Sequence, residues 1–311
     1  MNHARGWLEW FGWTCLGVSL YMMGFLFPLA GFIFFLMAPL PTLVLTVRQG
    51  SMKSALSIGV AVLLTAVTFN PFAAFLYLIN IGILGWGLGV LLKKNKEGTE
   101  FLMAGIVFAL MCHLSVLFAV AMATGINPFN PDLAEMQAVL QPLLEKGQFG
   151  QAKVELEEVI KLISFYMPTM LILYVTAEVF LLSIAASFSF KKLGDAPLFS
   201  LPPFGEWGFP KSILWALLVG ILLAFWGTQK PEYAILRQSG ENLKEIIRVL
   251  FLIQGLAVVW YYAEIRSIPR FLRVLFVALT PVVFFLSYAV SMVGMFDIWL
   301  DIRSRIRGKQ S

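Results

Sequence analysis

Charged side chains are scarce in this chain: Asp, Glu, Lys and Arg make up 13% of its 311 residues, roughly half their share in soluble globular domains. With 59% hydrophobic residues and a mean hydropathy of +0.82, most of the sequence needs a bilayer rather than water as its solvent. Cysteine is nearly missing. Cys15 and Cys112 both lie in apolar runs, which excludes a disulfide framework and a thiolate metal site. Histidine is equally rare, with His3 and His113 the whole supply, so histidine metal sites and serine–histidine pairs have little material. No Walker A, H-E-x-x-H or G-x-S-x-G sequence occurs, and Gly85-x-Gly87 lacks the strand and third glycine of a dinucleotide loop. The chain is therefore read as a non-enzyme without cofactor or metal. Its net charge of +5 resides mostly in short basic loops, a signature of membrane topology and not of a nucleic-acid partner. Met1–Trp13 is short of basic residues and leads into the first apolar run without an A-x-A-like site, so the first span is expected to stay as an anchor.

What is present is a series of long apolar runs. A membrane helix needs about 20 mostly apolar residues, and the candidates are 11–28, 30–47, 54–69, 71–92, 100–124, 163–190, 212–228, 246–264 and 270–300. This predicts an all-α, polytopic membrane bundle of eight or nine elements. Pro39 and Pro41 interrupt the second span, and Pro281 is expected to break the last stretch. Arg48 and Lys53, then Lys93, Lys94 and Lys96, then Lys191 and Lys192, then Arg266, Arg270 and Arg273 all fall on one side if every span crosses. The positive-inside rule makes that side the cytoplasm and puts the amino terminus there. A broken last element would also return Arg303, Arg305, Arg307 and Lys309 to it.

Two connections divide the chain. The outer loop 126–162 is acidic and carries a cap-and-proline start at Asn130-Pro131, then Leu133, Met136, Leu140 and Leu144 at helical spacing. A second helical stretch, Gln151–Ile163, is expected to run on into the sixth span. Residues 191–211 hold Pro197, Pro202, Pro203 and Pro210 among Phe199, Phe204, Trp207 and Phe209, which excludes a regular helix and suits a cytoplasmic loop at the headgroups. The expected organisation is a bundle over 1–190, this loop, and carboxy-terminal helices over 212–311.

Within the apolar runs a few polar residues stand out. Glu178 lies near the middle of the sixth span, where a charge costs roughly 2.5–3.5 kcal/mol and usually faces a bundle interior or cavity. His113, Asn80 and Gln254 fall at similar depth on three other spans, and Tyr174 and Tyr77 add hydroxyls one turn from Glu178 and Asn80. If these converge they surround a small ligand site; the alternative for Asn80 and Gln254 is interhelical hydrogen bonding. Gly85 and Gly89 on the fourth span, and Ser57, Ala61 and Thr65 on the third, read as close helix packing. At the carboxy end Asp297 and Asp301 share a helix face that Arg305 extends. With Arg303, they form either a salt-bridged helix end or a docking surface for a protein partner.

Pro39-Leu40-Pro41 leading to Arg48-Gln49-Gly50, Leu201-Pro202-Pro203-Phe204 with Trp207 and Pro210, Gln254-Gly255, and Gly294 through Asp297 with Asp301 and Arg303 together carry a resemblance. The chain resembles the YybS-like bacterial membrane proteins, a family of unknown function, over nearly its whole length. That family is distantly similar to the substrate-binding S components of energy-coupling-factor vitamin transporters, which implies a six-helix, small-molecule-binding unit at the amino terminus. Two departures are the region beyond Lys191 and a first span lacking the A-x-x-x-A motif with which S components meet their energising partner. The reading is an integral membrane protein that binds and transports a small molecule. Its rival is a membrane scaffold or regulatory subunit that meets a protein partner through 191–211 and 297–309.

Overall fold

Long apolar runs satisfy their backbone groups locally only as helices, and helix is the only regular structure among the described residues. These are 3–27, 30–94, 97–125, 127, 129, 153–195 and 201–307 of a computed structural model. The chain divides into two compact units, one of Met1–Ser164 with Met170–Leu201, the other of Phe165–Thr169 with Pro202–Ser311.

The first unit holds α1 (His3–Leu26), α2 (Gly31–Met37), α3 (Pro39–Gln49), α4 (Ser51–Thr68), α5 (Pro71–Tyr77), a π-helical turn (Leu78–Ile83), α6 (Leu84–Lys94), α7 (Gly98–Thr124) and α8 (Lys153–Lys192). Pro39 opens α3, where its missing N–H costs nothing. Gly50, at φ 91°, makes the turn between α3 and α4. Asn70 caps α5 by accepting from the Ala73 N–H at 2.8 Å, with Pro71 in the first helical position. The glycine pair on α6 meets α3 at backbone distance. A Cβ on Gly85 would lie 2.4 Å from the Pro39 carbonyl oxygen, and one on Gly89 2.9 Å from that of Leu43, so both must lack a side chain. Ser57, Ala61 and Thr65 are buried along α4, and the Ser57 hydroxyl meets that of Thr14 on α1 at 2.7 Å. Leu43, Leu84, Leu88, Phe101, Val179 and Leu182 are central to the unit's core, which joins α3, α6, α7 and α8.

The second unit holds α9 (Ile213–Gly227), α10 (Ala234–Ile265), α11 (Arg270–Leu279), α12 (Phe284–Leu300) and α13 (Ile302–Arg307). Residues 165–169 of α8 also belong to it, and they are tied to α10 at a helix defect. Pro168 has no N–H to give the helix. Beside it, the Asn242 amide accepts from the Thr169 N–H at 3.0 Å and donates to the Phe165 carbonyl at 2.8 Å, bridging one turn of α8 from outside.

Among the described residues six helices are long and apolar enough to cross a membrane, and up to seven if the bent pair α11–α12 is one span. Hydropathy alone leads to eight or nine. α9 has only 15 residues, short of the bilayer, and α1 has the length but carries Arg5 and Glu9 among small and polar residues. The last stretch breaks as Pro281 predicts, with α11 and α12 bent by 107°. The expected continuous face from Asp297 through Asp301 to Arg305 does not form, because Asp301 takes a left-handed conformation at φ 51° and ends α12. Of the outer loop, the Asn130-Pro131 start and the rest of 130–152 lie outside the described residues, as do 196–200 of the proline-rich loop. The stretch after Lys153 does run without interruption into the sixth span.

Candidate functional site

The first unit has a partly open cavity of about 340 Å³ lined by residues of five helical segments and the π-turn. Glu178 and Tyr174 reach it from α8, His113 from α7, Asn80 and Ile81 from the π-turn, Leu76 from α5, Phe35 from α2, and Tyr21 and Phe25 from α1. Each polar side chain is there for a local reason. Tyr174 precedes Glu178 by one helical turn on the cavity face, and its hydroxyl is close enough to interact with the carboxylate. Asn80 sits inside the π-helical Leu78–Ile83 turn, whose extra residue re-aims the side chains of a span that would otherwise continue as α-helix. Such turns recur at functional sites. Gly82 lets this widened turn pass α4, since a Cβ there would lie 2.7 Å from an Ile58 methyl.

The electrostatics of the cavity follow from counting donors and acceptors. Glu178 is 2% exposed. Its Oε2 lies 3.5 Å from His113 Nε2 and, like Asn80 Oδ1, is buried with no hydrogen-bond partner. His113 Nδ1 lies 2.9 Å from the Ala109 carbonyl, which can only accept, so Nδ1 carries the hydrogen. In a neutral ring Nε2 is then an acceptor, and it faces a second acceptor on Glu178. One proton between the two groups satisfies both; without it, two lone pairs oppose each other in a buried site. No lysine or arginine is among the described residues that line the cavity, and the walls are aromatic. Tyr21, Phe25 and Phe35 pack edge to face at 5.1–5.7 Å, and Tyr174 meets the His113 ring at 5.3 Å.

Four of the six residues singled out by depth in the sequence thus line one cavity: Glu178, His113, Asn80 and Tyr174. Tyr77 does not line it. It is buried beside the wall, its ring edge-on to Tyr21 at 5.2 Å. Gln254 belongs to the second unit, where its Nε2 donates to Asp297 at 2.6 Å and its Oε1 accepts from the Phe209 N–H at 2.9 Å. Nothing in the hydropathy pattern marks Tyr21, Phe25 or Phe35, because aromatic residues are common throughout these spans.

In the second unit two of the three residues considered for partner docking, Asp297 and Arg303, are paired within the fold. Asp297 is 3% exposed and accepts from Gln254 and from Arg303, whose Nε and backbone N–H lie 3.1 and 3.2 Å away. Arg303 also donates to the carbonyls of Gly205 and Trp207, both at 2.8 Å. The cluster pins the 202–210 segment to α10 and the end of α12. Asp301 is exposed. A second cavity, of about 420 Å³, is lined in part by Glu241, Lys244, Glu245 and Arg248. Those charges pair along α10, Lys244 with Glu241 at 2.9 Å and Arg248 with Glu245, so this cavity has no unanswered charge comparable to Glu178.

A family model described as "Predicted membrane protein (DUF2232)" matches residues 15–298. The chain is 23% identical over 287 residues to the uncharacterized protein YybS of Bacillus subtilis (strain 168), covering 90% of this chain and 91% of that one. No solved structure matches.

Proposed function

The chain belongs to the DUF2232 family of membrane proteins, and as a multispanning helical member of it we propose that it binds a small molecule in the first unit's cavity and carries it across the bacterial inner membrane. One observation carries this reading: Glu178, which lines a cavity of ligand size, has a buried carboxylate oxygen with no hydrogen-bond partner. Leaving a buried acceptor unsatisfied costs about 1–3 kcal/mol, and more for a charged group. A carboxylate kept only to hold helices together would be paired with a donor from a neighbouring helix, as Asp297 is. A ligand that supplies the missing donor recovers that cost on binding. Tyr21, Phe25, Phe35 and Tyr174 would supply the apolar enclosure typical of small-molecule sites. The scaffold reading draws less support, because Asp297 and Arg303 are already engaged within the chain.

Mass spectrometry of small molecules retained by the purified protein tests the proposal. Wild type is expected to retain a compound that Glu178→Gln loses while unfolding at the same temperature. Retention of the same compound by both proteins would remove Glu178 from the site, and a folded wild type that retains nothing would count against binding in this cavity.

The proposal includes an amino terminus in the cytoplasm and takes α1 and α9 as crossing with the other spans, which puts Arg48 and Lys53, Lys93 and Lys94, Lys191 and Lys192, and Arg266, Arg270 and Arg273 on one side. Single cysteines in place of Lys53 and Lys192 should resist a membrane-impermeant thiol reagent in intact cells and react once the membrane is opened. Labelling in intact cells would invert the topology.

A further inference from the structure

We infer that the cavity's ligand is an organic cation bearing at least one N–H donor, an ammonium-type compound, and that it takes the place of the proton shared by His113 and Glu178. This rests on the small-molecule reading above and narrows it to a chemical class.

The first ground is the sign and kind of the vacant valences. Glu178 Oε2 and Asn80 Oδ1 are acceptors without donors, and His113 Nε2 is a third acceptor once Nδ1 has donated to Ala109. A ligand that presents only acceptors would meet three more. One that presents a donor without charge would satisfy a lone pair but leave the buried carboxylate without a counter-charge. An ammonium group answers both, since it carries donors and the charge opposite to Glu178, the one carboxylate among the described residues that line the cavity.

The second ground is the wall. Tyr21, Phe25, Phe35 and Tyr174 come from three helices and all line the same space as Glu178. Aromatic faces attract a desolvated cation and gain nothing comparable from an anion. With no lysine or arginine among the described lining residues, an anionic ligand would find no counter-charge there except a protonated His113.

The third ground is space for the proton. At 3.5 Å, His113 Nε2 and Glu178 Oε2 are too far apart for a strong direct hydrogen bond, and both residues line the cavity. A cation at Glu178 and a proton between the pair therefore compete for the same carboxylate. Binding the cation releases the proton, and the protonated pair rejects the cation. The other titratable groups around Glu178 are Tyr21 on α1, Cys112 beside His113 on α7, and Tyr174 on α8; none of them carries a charge at neutral pH that would substitute for the proton.

The test uses the full-length protein in detergent and three probes of similar shape: benzylammonium, benzyl alcohol and benzoate. Calorimetry in buffers of different ionisation enthalpy counts protons released on binding. Benzylammonium is expected to bind wild type with release of close to one proton, and at least about tenfold more tightly than either analogue. Glu178→Gln is expected to lose that preference, and Asn80→Ala to weaken it. If Glu178→Gln fails to fold, the ranking of the three probes and the proton count on wild type still decide. Tighter binding of benzoate or benzyl alcohol overturns the cation assignment, as does binding of none of the three. Benzylammonium binding with no proton released overturns the exchange. A neutral or anionic compound retained by wild type and lost in Glu178→Gln would keep the ligand-binding proposal and sink the cationic one.

Discussion

Arg303→Ala is expected to destabilise the second unit by about 3–5 kcal/mol, the range seen when one partner of a buried ion pair is removed. Asp297 is 3% exposed, and the substitution removes the guanidinium contacts at 3.0 and 3.1 Å. The carboxylate then keeps only the Gln254 amide and the residue-303 N–H, two neutral donors for a buried charge. The carbonyls of Gly205 and Trp207 lose their donor in the same step. Lysine should rescue poorly, because three separate acceptors are met here by the planar fork of a guanidinium and a compact ammonium cannot span them. Adding Asp297→Asn to Arg303→Ala should recover part of the loss, since no charge is then stranded. Equilibrium unfolding in detergent checks both. A single substitution costing under about 1 kcal/mol, the value of an exposed pair, would mean that the cluster is solvated and not a clamp.

Gly255→Leu should be comparably damaging, at about 3 kcal/mol or more, beyond the usual 1–3 kcal/mol of overpacking because the obstruction is backbone. A Cβ on Gly255 would lie 1.9 Å from the Val290 carbonyl oxygen, and one on Gly294 1.9 Å from that of Phe251. The two glycines oppose each other across the α10–α12 contact, so any side chain at either forces the helices apart along their length. Gly255→Ala should already cost more than alanine at Gly59, where nothing lies within 4 Å of the added carbon. That control is expected to leave stability unchanged or slightly raised, because alanine is the better helix former. Equal melting temperatures for Gly255→Leu and wild type would show that α10 and α12 do not pack this closely in the membrane.

Much of this architecture is legible in the sequence for one physical reason: a bilayer penalises every uncompensated polar group, so the exceptions stand out. The apolar runs mark the spans, Pro281 marks the break between α11 and α12, and the Gly85–Gly89 spacing marks the contact of α6 with α3. Glu178, His113 and Asn80 are visible as polar residues near mid-span, and Tyr174 as the hydroxyl one turn from Glu178. Depth is a one-dimensional property, and hydropathy reports it well.

Direction around a helix axis and membership of a unit are not one-dimensional. Gln254 matches Glu178 in depth, yet its amide is consumed by Asp297 and Phe209 in the other unit. Tyr77 lies three residues before Asn80, yet it packs against Tyr21 while Asn80, inside the π-turn from Leu78 to Ile83, lines the cavity. In the sequence Asp297 fits either a salt-bridged helix end or a docking surface, and only the fold shows Arg303 paired with it past the left-handed Asp301. Composition and hydropathy therefore settle that this is a helical membrane protein and which residues are costly within it. Which costly residues are paired, and which face an open cavity unpaired, depends on helix rotation and on packing between segments distant in the chain. In that arrangement Glu178 keeps an unpartnered oxygen, while Asp297, no less buried, does not.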